Sequence, residues 1–139
     1  MKIVLIGHGH TAEAMKGAVE MIFGKVPDFY PVAFLPKEGL QDLTKKLEGV
    51  ITNFDSQDTL IIADLFSGTP YNAAATLALE GKVADVVAGM SLPICLESAA
   101  QMNTMSVEKL VQYLSDNSAS YTKVLSVVNQ EQAEEEDEF

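Results

Sequence analysis

The sequence predicts an α/β fold, a doubly wound and mainly parallel sheet flanked by helices. Three observations carry that expectation. Short, β-branched apolar runs recur along the chain, and between them the apolar spacing changes to three and four. Glycine or proline stands where several of these patterns give way to one another. The 139 residues suit one compact core.

The elements follow in order. Residues 2–6 (KIVLI) are nearly all apolar, as a strand buried on both faces requires. Met15, Ala18, Val19 and Ile22 predict a helix over residues 11–23, with Gly24 as its stop. Residues 30–35 (YPVAFL) read as a strand whose Pro31 cannot donate to a ladder, which places it at an edge or a strand start. Leu40, Leu43, Leu47, Val50, Ile51 and Phe54 form a second helical stripe. Residues 59–64 (TLIIAD) repeat the buried-strand pattern, and a third helix should start after Thr69, with Thr69 as cap and Pro70 at its first position. Residues 83–88 form a weaker strand, a fourth helix starts at Pro93, and a fifth covers residues 106–116. Residues 123–128 (KVLSVV) predict a last short strand.

The folded domain is thus expected over residues 1–128, followed by an acidic tail over 129–139. Residues 130–139 carry Glu131, Glu134, Glu135, Glu136, Asp137 and Glu138 and no lysine. Such a like-charge run is expected to stay solvated and disordered, a binding tail being the alternative.

Composition excludes several functions. All 9 basic residues are lysine, against 20 acidic ones, for a net charge of -11. A protein that neutralises nucleic-acid phosphates needs a basic face, and so does one that binds an anionic membrane surface. The single cysteine, Cys95, allows no internal disulfide and no thiolate cluster for a metal, and it reads as a packing residue. The apolar start of the chain is broken by glycine and histidine before a signal peptide is complete, and no run is long enough to span a bilayer. A cytoplasmic protein without membrane insertion is expected.

In a doubly wound sheet, ligands bind beyond the carboxyl ends of the parallel strands. Residues 7–10, 65–69 and 89–92 should open on that edge. The only two histidines, His8 and His10, both sit in the first of these loops, where Gly7 and Gly9 flank His8 and leave its ring accessible. Asp64 ends the third strand run. Its carboxylate either accepts a hydrogen bond from His8 or closes its own loop. The first option fixes the proton on Nδ1 and leaves Nε2 free as a nucleophile. Ser67, Gly68 and Thr69 supply hydroxyls and N–H groups at a helix start, which is either a capped turn or a phosphate cradle.

The segments IVLIGHGHTAEAM and ADLFSGTPYNAA resemble the mannose-family enzyme IIA components of the bacterial phosphoenolpyruvate-dependent sugar phosphotransferase system. The first is similar to the family's strand, small residue and His-Gly pair. The second is similar to its strand-end Asp followed by Gly-(Ser/Thr)-Pro-(Phe/Tyr)-Asn-Ala-Ala. VAGMSLPICLE is a weaker echo, with Ser91 where Asn is common and Ile94 where Met is common. The likeness runs over residues 1–128. It implies a phosphocarrier that takes a phosphoryl group on His8 from the histidine-containing phosphocarrier protein HPr. From His8 the group passes to a cognate IIB protein during sugar uptake. Asp64 would orient the imidazole, Gly9, Ser67, Gly68 and Thr69 would hold the phosphoryl oxygens, and His10 would be accessory. No metal or other cofactor is implied. The family's usual homodimer exchanges a C-terminal edge strand, which gives residues 123–128 a role. A related domain donates phosphoryl groups to dihydroxyacetone phosphorylation.

Three other chemistries fit less well. A histidine phosphatase or mutase sets an arginine before its histidine, and this chain has none. A metal chelatase gathers ligands from separate elements, whereas both histidines here share one loop. A receiver-like domain phosphorylated on Asp64 needs acidic residues where Gly7, His8 and Gly9 stand.

Overall fold

The computed structural model describes residues 1–137. Four parallel strands form one sheet in the order β2-β1-β3-β4: β1 (Lys2–His8), β2 (Phe29–Phe34), β3 (Thr59–Ala63) and β4 (Asp85–Ala88). The helices are α1 (Thr11–Ile22), α2 (Leu40–Ile51), α3 (Thr69–Leu79), α4 (Leu92–Gln101), α5 (Val107–Asp116) and α6 (Leu125–Asp137). Strand order reverses between β1 and β3, which creates a switch point at the carboxyl edge of the sheet.

Alternation along the two central strands builds two cores. Ile3, Leu5, Leu60 and Ile62 point to one face and meet Ala12 and Val19 of α1, Cys95 and Ala99 of α4, and Leu110 and Leu114 of α5. Val4, Ile6, Ile61 and Ala63 point to the other face, against Leu43 and Leu47 of α2 and Ala73, Ala74 and Leu77 of α3. With both faces covered, β1 and β3 carry the continuous apolar runs seen in the sequence. Pro31 lies in β2, an edge strand, as its missing N–H requires.

Four details depart from the sequence-based expectation. First, β1 runs on to His8, because Gly7 and His8 pair with Ala33 and Phe34 of β2. The predicted four-residue loop therefore shrinks to Gly9 and His10. Second, Gly68 is the N-cap of α3, so Thr69 is its first helical residue and makes no side-chain cap. Third, residues 123–128 form no strand within this chain. A strand is held by a neighbouring ladder, and without one the Val127 and Val128 N–H groups donate to the Val124 carbonyl at 3.1 and 3.0 Å. Fourth, the acidic segment expected to be disordered continues α6 to Asp137 with no buried residue. Glu138 and Phe139, the end of that tail, lie outside the described residues.

Burial pushes the Cys95 thiol up to about 12, because nothing in that core compensates a thiolate. Native protein at pH 8 is therefore expected to resist a disulfide-exchange reagent until urea unfolds it. Fast labelling of the folded protein would place the thiol at the surface. A second test concerns the sheet centre, where Ile61 is fully buried and Met21 is 90% exposed. Ile61→Ala should cost about 2–5 kcal/mol in urea unfolding, and Met21→Ala should stay within about 0.5 kcal/mol of the parent. Equal losses would contradict the two-faced core.

Candidate functional site

His8 is the last residue of β1 and lies beside Phe34 in the parallel register, so the two side chains leave the sheet on the same face. Gly9 follows with φ +58, a conformation open to glycine, and turns the chain into α1. Its N–H donates to the Phe34 carbonyl at 2.8 Å. The Thr11 hydroxyl donates to the His8 carbonyl at 2.8 Å and ties the helix start back to the strand end.

Asp64 extends β3 by one residue, its N–H donating to the Ile6 carbonyl at 3.0 Å. That sets it beside Gly7. A Cβ on Gly7 would stand 3.2 Å from the Asp64 Cβ, Cγ and Oδ2, so the missing side chain is the clearance through which the carboxylate crosses. Asp64 Oδ2 accepts from the His8 backbone N–H at 2.9 Å and lies 2.8 Å from His8 Nδ1. Of the two local options for Asp64, the structure adopts the contact with the histidine. The Asp64 side chain is 17% exposed, that of His8 52%. A carboxylate so placed favours the tautomer with the proton on Nδ1. Nε2 then carries the lone pair, and it has no hydrogen-bond partner among the described residues.

The far side of the ring faces the start of α3. A Cβ on Gly68 would lie 3.5 Å from His8 Cε1, so the N-terminus of α3 abuts the imidazole. Gly68 has no side chain to cap the first turn, and Pro70 has no N–H. Helix N-termini carry a partial positive charge that favours phosphate-like anions. Ser67, just before, has φ +64, a left-handed conformation that costs a non-glycine residue about 1–2 kcal/mol. Gly9, Ser67 and Gly68 thus lie on the two turns beside His8, and Thr69 opens the helix that follows the second.

His10 is separate. It is the N-cap of α1, 72% exposed, with Nδ1 3.2 Å from Glu13 Oε2 on its own helix. Ser91, in the third loop, caps α4 by accepting from the Ile94 N–H at 3.4 Å. Two site features were missed by sequence reasoning. The Phe34 ring meets the His8 ring edge-on, with centroids 5.5 Å apart at 73°. Beside the site, Leu65 and Phe66 are more than half exposed, with Phe66 tilted against Tyr71 at 4.9 Å. The sequence signal for Phe34 was its place at the carboxyl end of a predicted strand.

The loop after β2 is locked. Lys46 Nζ donates to the Ala33 carbonyl at 2.8 Å and to Glu38 Oε1 at 2.7 Å, and Glu38 Oε1 also accepts from the Leu35 N–H at 2.7 Å. The Lys46 hydrogen bond, helped by the Leu35 N–H, holds the Glu38 carboxyl below its usual range. A carboxylate lowered on folding stabilises above its unfolded pKa and loses that contribution as pH falls through the folded one. The lock is therefore intact at neutral pH.

The family model described as EIIA-man, PTS system fructose IIA component, matches residues 2–114. The chain belongs to this mannose-type enzyme IIA family of the bacterial sugar phosphotransferase system. Membership makes it a phosphotransferase component with a phosphocarrier role in sugar uptake. Within the family it is 53% identical to the PTS system sorbose-specific EIIA component of Lacticaseibacillus casei, over 99% of both chains. It is 32% identical to the fructose-specific EIIA component of Bacillus subtilis (strain 168), over 91% of this chain and 87% of that one. Among solved structures, the mannose/sorbose specific IIA subunit from Enterococcus faecalis superposes with a TM-score of 0.81 at 30% identity, covering 89% of this chain and 93% of that one. Phosphotransferase system component EIIA from Streptococcus agalactiae gives 0.83 at 22% identity over 91% and 98%, a likeness of fold. Among the described residues, no helix is long and apolar enough to cross a membrane.

The strained turn beside His8 is testable. Ser67→Gly should keep stability within about 1 kcal/mol, since relief of the left-handed backbone offsets glycine's entropy. Ser67→Val, β-branched at positive φ, should lose about 1–3 kcal/mol in denaturant unfolding. If the valine variant were as stable as the glycine one, residue 67 would not hold a left-handed backbone.

Proposed function

We propose that His8 accepts a phosphoryl group from phosphorylated HPr and passes it to a cognate IIB protein. The observation that carries this reading is the His8 ring itself, held at Nδ1 by Asp64 yet half exposed at its outer edge. An exposed nucleophile suits exchange with another protein's histidine, because the phosphorus must come within reach in line with both nitrogens.

Transfer is a direct exchange between two ring nitrogens. The lone pair on His8 Nε2 attacks phosphorus as the P–N bond to the donor histidine breaks, and that bond's electron pair returns to the donor ring. The proton on His8 Nδ1 stays in the hydrogen bond to Asp64, whose charge stabilises the positive charge growing on the imidazole. The Gly68 N–H and the hydroxyls of Ser67 and Thr69 are the donors for the equatorial oxygens, whereas the Gly9 N–H, expected to join them, is taken by the Phe34 carbonyl and Gly9 supplies only the turn. The second transfer, to IIB, runs the same chemistry in reverse. His10, tied to Glu13, stays accessory.

Homodimerisation is part of the same proposal. Strand β4 is an edge, and beside it lies a concavity of about 440 Å³ lined by Val86, Ala88, Ile94 and Val111. Val124, Leu125 and Val127, at the start of α6, are about half exposed or more. Exchange of residues 123–128 onto β4 of a second copy would cover both apolar surfaces. Residues 1–128 would then form the working unit in the cytoplasm, with the acidic segment outside it. Full-length similarity to a sorbose-specific component makes a sorbose-type IIB the acceptor to try first.

Intact-mass spectrometry after incubation with phosphoenolpyruvate, enzyme I and HPr tests the reading. One acid-labile phosphoryl group is expected on the parent and on His10→Ala, and none on His8→Ala. Asp64→Asn should slow labelling on the order of 10²- to 10⁴-fold, as loss of a group that fixes a catalytic tautomer does. Labelling that survives in His8→Ala but not in His10→Ala would move the nucleophile. An unlabelled, folded parent alongside phosphorylated HPr would end the carrier reading.

A further inference from the structure

We propose that Phe34 is a positioning residue for His8, the second of two contacts that fix the imidazole. The inference rests on His8 being the phosphoryl acceptor. One hydrogen bond does not define a ring plane. With Nδ1 held 2.8 Å from Asp64 Oδ2, the imidazole can still swing about that contact and carry Nε2 through an arc. A second contact on another side of the ring removes the freedom.

Phe34 supplies it from the neighbouring strand. Its register partner across the β1–β2 ladder is His8, so both side chains leave one face of the sheet side by side. The rings meet at 73° with centroids 5.5 Å apart, within the range in which perpendicular aromatic pairs attract. On the opposite flank stand Asp64 and the backbone of Gly68. The imidazole thus sits in a slot with one wall from β2 and the other from the turn after β3, and its side chain remains half exposed.

The Phe34 wall is itself anchored. The Phe34 carbonyl accepts from Gly9, the residue after the histidine. On either side of Phe34, the Ala33 carbonyl is held by Lys46, and the Leu35 N–H by Glu38, which is paired to the same lysine. A ring carried on backbone fixed at three successive residues can hold its neighbour still. Glu38 is the carboxylate of this lock and Lys46 its cation. The titratable group bonded to the His8 ring is Asp64.

The test compares Phe34→Leu, which keeps apolar volume, with Phe34→Tyr, which keeps the ring. Nuclear Overhauser contacts between the His8 ring protons and the Gly68 backbone, read in the full chain, report where the ring points, and transfer from phospho-HPr gives kcat and KM. For Phe34→Leu the expected results are loss of the contact from the His8 Cε1 proton to Gly68 and a kcat lowered roughly three- to tenfold, what one aromatic contact is worth, with KM unchanged. Phe34→Tyr should restore both. A parent-like ring contact and kcat in Phe34→Leu would overturn the assignment. So would an effect on KM alone, which marks a docking contact, or a rate loss that only follows the folded fraction in a thermal melt. If the parent takes up no phosphoryl group, the acceptor reading fails, and the ring-contact comparison still decides whether Phe34 orients the imidazole.

Discussion

Everything at the site depends on β1 being laddered to β2 through its last residue and to β3 as far as Ile6. His8 pairs with Phe34 of β2, and Asp64 continues the β3 ladder to Ile6. A side chain on a two-sided parallel ladder inherits the rigidity of the core beneath it, here Val4 and Ile6 on its own face, both fully buried. The same ladder places the carboxylate. Asp64 reaches the imidazole only because the residue beside it is Gly7, and a side chain there would push the carboxyl aside. Gly9 has a different duty, the left-handed turn that ends the strand directly after the histidine. The Gly-His-Gly triplet is therefore two unrelated devices around one histidine.

Much of this was legible in the sequence, for physical reasons that differ by element. β1 and β3 could be read because strands covered on both faces must be apolar without interruption, and α2 because its stripe has helical spacing. Gly24 marked a helix end through chemistry that is local. The failures came where a partner decides the outcome. The length of β1 depended on β2 lying alongside Gly7 and His8, which no local pattern records. Residues 123–128 have strand composition but no neighbouring strand within the chain, so their backbone bonds close on themselves as a helix. Phe34 looked like any strand aromatic, and its nearness to His8 is a fact of register.

Charge shapes how such a site can work. The chain has no arginine and a net charge of -11, so on the proposed reading a dianionic phosphoryl group would arrive on a protein that repels it overall. Local N–H groups can hold the oxygens, but cations for the transition state must come from whatever docks. On the proposed reading, such a carrier depends on docking for fast transfer.

Exposure and rigidity are joint requirements here. On the proposed reading, one nitrogen must meet a donor histidine and later an acceptor from the same direction, so the site cannot be deep. An exposed side chain, however, ordinarily samples several rotamers, and each unproductive one subtracts from the rate. The structure meets both demands by confining the imidazole at its flanks and leaving its outer edge open. Asp64 sets which nitrogen faces outward, and the Phe34 and Gly68 walls set where it points. The strain at Ser67 is consistent with that arrangement. The turn that brings Gly68 up to the ring is short, and a relaxed backbone at residue 67 would lead the α3 N-terminus elsewhere.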